Sequence, residues 1–244
     1  KELPNGTTNA KWTGLETTCQ NGRPFIFSVV QVDQNGNDLT PPNFIKEELG
    51  LTVINTFQIP TNGAAAAKKI WVNGPAIAPT IWFKLQRTIP GGQPEDVPEA
   101  ELYRLIDGFE DASWTGLDET DIDANVYTFS VVETDGTGQA SVPPNYRMTK
   151  KGMEITNEYV VPTKGSAAAN VVWVNGPDTR PTVWLRLYRQ TDGGQLEEVP
   201  ELPIRQLDNG QLTAGWDNLA ETDISGNPYT FFVKEVNSLG VDWT

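Results

Sequence analysis

Trp12, Trp114 and Trp216 stand 102 residues apart, and Trp71 and Trp173 repeat the same spacing. The flanks keep that register without a gap. WVNGP at residues 71–75 returns at 173–177, PTIWFKL at 79–85 returns as PTVWLRL from Pro181, and FSVV at 27–30 returns at 129–132. Solenoid repeats are a few tens of residues long, so a period of this length implies that each copy carries its own core. The 244 residues then divide near residues 62 and 163. A partial repeat occupies 1–62, a complete one 63–163, and a partial one, lacking its last strand, 164–244. The small-residue runs PTNGAAAA (60–67) and PTKGSAAA (162–169) are expected to be the joints. Two explanations of the partial repeats stand side by side. Either the chain is a piece of something longer, or neighbouring copies exchange strands, because a sandwich short of a terminal strand exposes an edge for pairing.

Within each period the pattern is that of strands. Ile81–Leu85, Tyr127–Val132 and Tyr229–Val233 alternate, are rich in β-branched and aromatic residues, and are bounded by Gly, Pro, Asn or Asp. No stretch carries a helical period. Several such strands in about 100 residues predict an all-β chain of tandem immunoglobulin-like β-sandwich domains. Trp71, Trp82 and Trp114 are expected in the core or at its rim.

Composition removes most chemistry. A formal charge of −14 repels phosphate backbones and anionic lipid, so neither nucleic acid nor a membrane is an expected partner. With no histidine and Cys19 as the single cysteine, the chain offers no intramolecular disulfide, zinc cage or His-based catalytic pair. Cys19 aligns with Asp121 and Asp223 and reads as an incidental thiol. The acidic stretch Asp118–Asp123 lacks the glycine and closing glutamate of a calcium loop, and no metal or cofactor is expected. No apolar run is long enough to span a membrane, and Lys1 opens no signal peptide, so the chain reads as a soluble segment.

One constellation does carry chemistry. Side chains two apart on a strand share a face, so a core-facing Trp71 brings Lys69 inward with it, whereas Lys68 faces the other way. A buried ammonium must pair with an acid or lose its charge, and Glu133, ending an apolar strand, is the candidate partner. Ile155-Thr156-Asn157 closes the period. Lys two residues before Trp, a Tyr-led strand ending in Glu, and Ile-Thr-Asn in the last strand together resemble the collagen-adhesin B-type (Cna B-like) repeats of Gram-positive surface adhesins and pilins. Residues 63–163 carry the whole pattern and the outer repeats part of it.

The resemblance implies an autocatalytic isopeptide bond between Lys69 and Asn157, with Glu133 promoting a reaction that happens once and does not turn over. It further implies an extracellular stalk or spacer at a bacterial cell surface, anchored to the wall through regions outside this sequence. The alternative is an adhesive module that binds a host matrix protein or a glycan through loops or a sheet face. The outer repeats depart from the pattern. Val171 stands at the lysine position although Glu235 matches Glu133, and Gln31 replaces the acid although Asn55 matches Asn157. No bond is expected in either.

Overall fold

In the computed structural model, which describes residues 1–107 and 109–242, every regular element is a β-strand. The chain divides into two units, residues 1–61 with 118–125, and residues 62–117 with 126–244. The last two residues of the third repeat, 243 and 244, lie outside the described residues.

The first unit holds an antiparallel hairpin of β1 (Phe44–Leu49) and β2 (Thr52–Phe57), closed by Gly50-Leu51. Gly50 adopts a φ of 62°, the left-handed conformation that two-residue hairpin turns favour. Residues 27–30 form no strand here, although their counterparts at 129–132 do. In the second repeat that strand is held by residues 81–88, whose counterpart this sequence does not contain.

The second repeat contributes two sheets. One is built from β3 (Gly63–Val72), β7 (Asp111–Leu117), β9 (Tyr146–Lys151) and β10 (Glu154–Tyr159), in the order β7-β3-β10-β9. The other is built on β4 (Ile81–Thr88), with β5 (Glu95–Asp96) and β6 (Tyr103–Leu105) along one side and β8 (Thr128–Thr134) along the other. Alternation sets which residues turn inward: Ile81, Phe83 and Leu85 of β4 are at most 2% exposed, while Trp82 and Lys84 between them are half-buried. Ala67, Ala112, Trp114 and Ile155 from the first sheet meet Phe83, Leu85, Leu105 and Val131 from the second in one core. Two sheets packed face to face over a shared core make the sandwich expected from the sequence.

The third repeat repeats this plan in part. β11 (Gly165–Asn170) pairs with β15 (Thr213–Leu219), and β12 (Val183–Thr191) is flanked by β13 (Glu197–Glu198), β14 (Arg205–Leu207) and β16 (Tyr229–Val236). Its core is built from Val183, Leu185, Leu187, Leu207, Ala214, Trp216 and Leu219.

The alanine runs are not joints. Ala64–Ala67 lie inside β3 and Ala167–Ala169 inside β11. Ala65 lies directly opposite Trp114 on β7, and Ala167 opposite Trp216 on β15, so small side chains leave room beside a large indole. β3 also outruns β11 for a visible reason. Its first half is paired antiparallel to β7 and its second half, Lys68–Val72, parallel to β10. Among the described residues no strand takes the place of β10 beside β11, which stops at Asn170 and leaves Val172 and Val174 about four-fifths exposed.

Candidate functional site

The side chains of Lys69, Glu133 and Asn157 come from three strands and two sheets. β3 and β10 are hydrogen-bonded neighbours, with Lys69 opposite Ile155 and Trp71 opposite Asn157. Inward alternation on β3 selects Ala67, Lys69 and Trp71, and on β10 it selects Ile155, Asn157 and Tyr159. Lys68 is exposed on the other face. Glu133 reaches them from the opposite sheet, where β8 pairs it with Phe83 of β4.

The Lys69 Nζ donates to Glu133 Oε2 at 2.9 Å, and the Asn157 Nδ2 donates to Glu133 Oε1 at 2.7 Å. Lys69 and Asn157 are 0% exposed and Glu133 2%. One carboxyl group therefore serves a lysine and an asparagine at once, away from water. The Lys69 amine also sits 4.4 Å from the centre of the Trp71 ring, whose π-face attracts a cation. Trp71 packs edge-on against Tyr146 with centroids 5.0 Å apart, and Tyr146 packs on Tyr159 at 5.4 Å.

Burial pushes the Lys69 amine below the usual lysine range, and the contact with Glu133 recovers only part of that shift. An amine so placed gives up its proton more easily than one in water, which makes it a better nucleophile. The Asn157 Oδ1 is buried and has no hydrogen-bond partner. An unpaired buried carbonyl oxygen is costly, and it is the atom on which negative charge would develop if the side-chain amide were attacked.

The outer repeats lack parts of this arrangement. In the first, Asn55 Nδ2 donates to Gln31 Oε1 at 2.7 Å, the same pairing as Asn157 with Glu133, but Asn55 is exposed, and Lys46, directly across the ladder from it, pairs instead with Asp38 and Glu48. In the third, Val171 is half-buried and Glu235 is exposed. The residues around Asp118–Asp123 spend their carboxylate chemistry locally: Asp121 accepts from the backbone N–H of Asp123 and Asn125 and from the Asn125 side chain. Cys19 is half-buried, near the Asn21 side chain.

Tyr146 and Tyr159 complete the aromatic wall and were not singled out by sequence. The signal was present in the repeat, where both positions are aromatic in the first copy as well, as Phe44 and Phe57.

No protein-family model matches the chain. Over 118 residues, 48% of its length, the chain is 29% identical to the collagen adhesin of Staphylococcus aureus, and it spans 9% of that protein. Among solved structures it is similar to a single B repeat unit (B1) of the collagen-binding surface protein of S. aureus, at a TM-score of 0.29 and 18% identity, covering 72% of this chain and 87% of that one. It is also similar to two B repeat units (B1B2) of the same protein, at a TM-score of 0.35 and 17% identity, covering 82% of this chain and 51% of that one. The resemblance to collagen-adhesin repeats drawn from short motifs thus extends, as sequence identity, over nearly half of the chain.

Proposed function

We propose that this chain is a structural stalk or spacer segment of a bacterial cell-surface adhesin or pilus-like protein. Its second repeat, residues 63–163, is closed by an autocatalytic isopeptide bond between Lys69 and Asn157 that Glu133 promotes. The observation that carries the reading is the buried meeting of these three side chains, lysine and asparagine on neighbouring strands and both held to one carboxyl group. Kinship with a collagen adhesin supports the extracellular setting, with wall anchoring through other regions.

The chemistry follows from the groups present. The neutral Lys69 Nζ attacks the side-chain carbonyl carbon of Asn157, the new C–N bond forms, the bond to Nδ2 breaks, and ammonia leaves. The Glu133 carboxyl group, in contact with both nitrogens, takes a proton from the attacking Lys69 Nζ and delivers it to the leaving Asn157 Nδ2. Folding supplies the proximity, since strand pairing holds both partners in place before any bond is made. The bond then closes a loop of roughly 90 residues, restricting the unfolded chain as a disulfide would, without dependence on redox state.

An adhesive module for a host matrix protein or glycan is the competing reading. A sugar platform calls for a cluster of exposed indoles or phenols, and among the described residues Trp12 is the one Trp or Tyr that is exposed. Buried aromatics suit a spacer better.

Intact-mass measurement of the full chain tests the proposal. The expected mass is that of the sequence less one ammonia, restored to the unmodified value by Lys69→Ala, Glu133→Ala or Asn157→Ala. An unaltered chain with the unmodified mass overturns the cross-link.

A further inference from the structure

The third repeat touches the end of the second through one short loop. Asp223 shapes that loop by accepting from the backbone N–H of Ser225 and Asn227 and from the Asn227 side chain. The loop backbone then meets the second repeat at two places: the Ile224 carbonyl accepts from the Gly74 N–H at 2.8 Å, and the Glu221 N–H donates to the Pro162 carbonyl at 2.8 Å. A side-chain contact joins them. Thr222 gives its hydroxyl proton to the Asp223 carbonyl, which leaves its oxygen to accept from the Tyr159 hydroxyl at 3.0 Å.

The fit is close enough to exclude small changes. A Cβ at Gly226, where φ is +76°, would lie 2.7 Å from the Pro75 ring. On the other side of the contact, a Cβ at Gly74 would lie 2.5 Å from the Tyr146 hydroxyl and 3.1 Å from the Tyr159 Cβ. The corresponding loop of the second repeat, residues 118–125, shares the Glu-Thr-Asp-Ile sequence but has Ala124 where the third has Gly226. Ala124 adopts a φ of 62°, so the turn itself accepts a methyl group there. The requirement for glycine at 226 therefore comes from Pro75 across the contact and not from the turn.

We propose that Gly74, Pro75 and Tyr159 form a docking surface keyed to the Thr222–Gly226 loop, and that this contact makes the junction of the second and third repeats a fixed joint. The partner it fits is a repeat loop with a threonine hydroxyl and a glycine three and seven residues after the buried Leu219. Tyr159 is suited to the task because its strand also carries Asn157, and its ring packs on Tyr146. The joint is thereby fastened to the buried face of β10. At the matching position the first repeat has Phe57, which has no hydroxyl to donate.

Hydrogen exchange on the full chain tests the joint. The Gly74 amide is expected to be protected in the unaltered protein. Gly226→Ala is expected to speed its exchange about tenfold or more while leaving the β12 and β16 amides unchanged. Tyr159→Phe should give a smaller acceleration at the same amide. In a Cys19→Ser background, dyes on Lys150→Cys and Asp192→Cys should report one narrow distance distribution that broadens with Gly226→Ala. An unprotected Gly74 amide, unchanged exchange in Gly226→Ala, or a broad distribution in the unaltered protein overturns the proposal. Neither readout depends on the bond between Lys69 and Asn157, so the two proposals fail separately.

Discussion

Lys69 lies directly across the ladder from Ile155, on two strands that run in the same direction. Tension along the chain enters this repeat at the start of β3 and leaves at the end of β10, so it loads the pair in shear, with all its hydrogen bonds resisting together. A covalent tie between Lys69 and Asn157 would take that load at the point where the strands meet. When a single full chain is pulled, the second repeat is expected to add no contour length beyond its short ends. Lys69→Ala should release roughly 300 Å, the extended length of about 90 residues. Equal extension in both chains would contradict a closed loop.

Glu133 holds its two partners in a place where neither could stand alone. Asn157→Ala rules out the proposed bond but keeps the ion pair, and it is the reference for this comparison. Relative to it, adding Glu133→Ala leaves a buried ammonium without a partner and should cost about 3–5 kcal/mol. Adding Lys69→Met as well should return most of that loss, because the site becomes apolar. Urea unfolding of the three chains gives the ranking.

The pH dependence distinguishes a free amine from an amide. In Asn157→Ala the Lys69 amine titrates below 10.5 when folded, since burial outweighs the Glu133 contact, and near 10.5 when unfolded. Between those two values the unfolded chain binds more protons, so stability rises with pH across that window and the penalty is fully present below it. Lys46 and Lys234 shift upward beside their carboxylates and act in the opposite direction. The comparison is therefore Asn157→Ala against Asn157→Ala with Lys69→Met, and the difference in stability between them should shrink to nothing as the pH rises to about 10.5. The unaltered chain should show no such contribution if the proposed bond has converted the amine to an amide.

The two core tryptophans offer a matched pair. Trp114 Nε1 donates to the Glu101 carbonyl at 3.3 Å, whereas Trp216 Nε1 is buried with no partner, and Pro203 takes the place of Glu101 in the repeat register. Each tryptophan changed to phenylalanine loses packing, but in Trp216→Phe an unsatisfied donor worth about 1–3 kcal/mol disappears with it. Trp114→Phe should be the more destabilising by about 1 kcal/mol or more in chemical unfolding of the respective repeats.

The legible features were those that a period and an alternation encode. The offset of 102 residues aligned Lys69 with Val171 and Glu133 with Gln31 and Glu235, and the two-residue rule put Lys69 on the face of Trp71 and Lys68 on the other. The alanine runs were misjudged because four equal side chains have no alternation to read, and alanine is a poor strand former by itself. Their place in β3 is set by Trp114 across the ladder, a residue about 50 positions away. The same limit hid the contact of Tyr159 with Thr222, which depends on how one repeat meets the next and leaves no mark within either.

The parallel seating of β3 beside β10 has one more consequence. A ring closed at Lys69 and Asn157 would contain β4 to β9 and every loop between them, including the exposed turns around Gly91 and Thr137. A protease cutting once inside that ring would open it without dividing the molecule, because the path from Gly63 to Tyr159 would still run through the tie. Such a segment could be nicked in use and go on connecting whatever lies on either side of it.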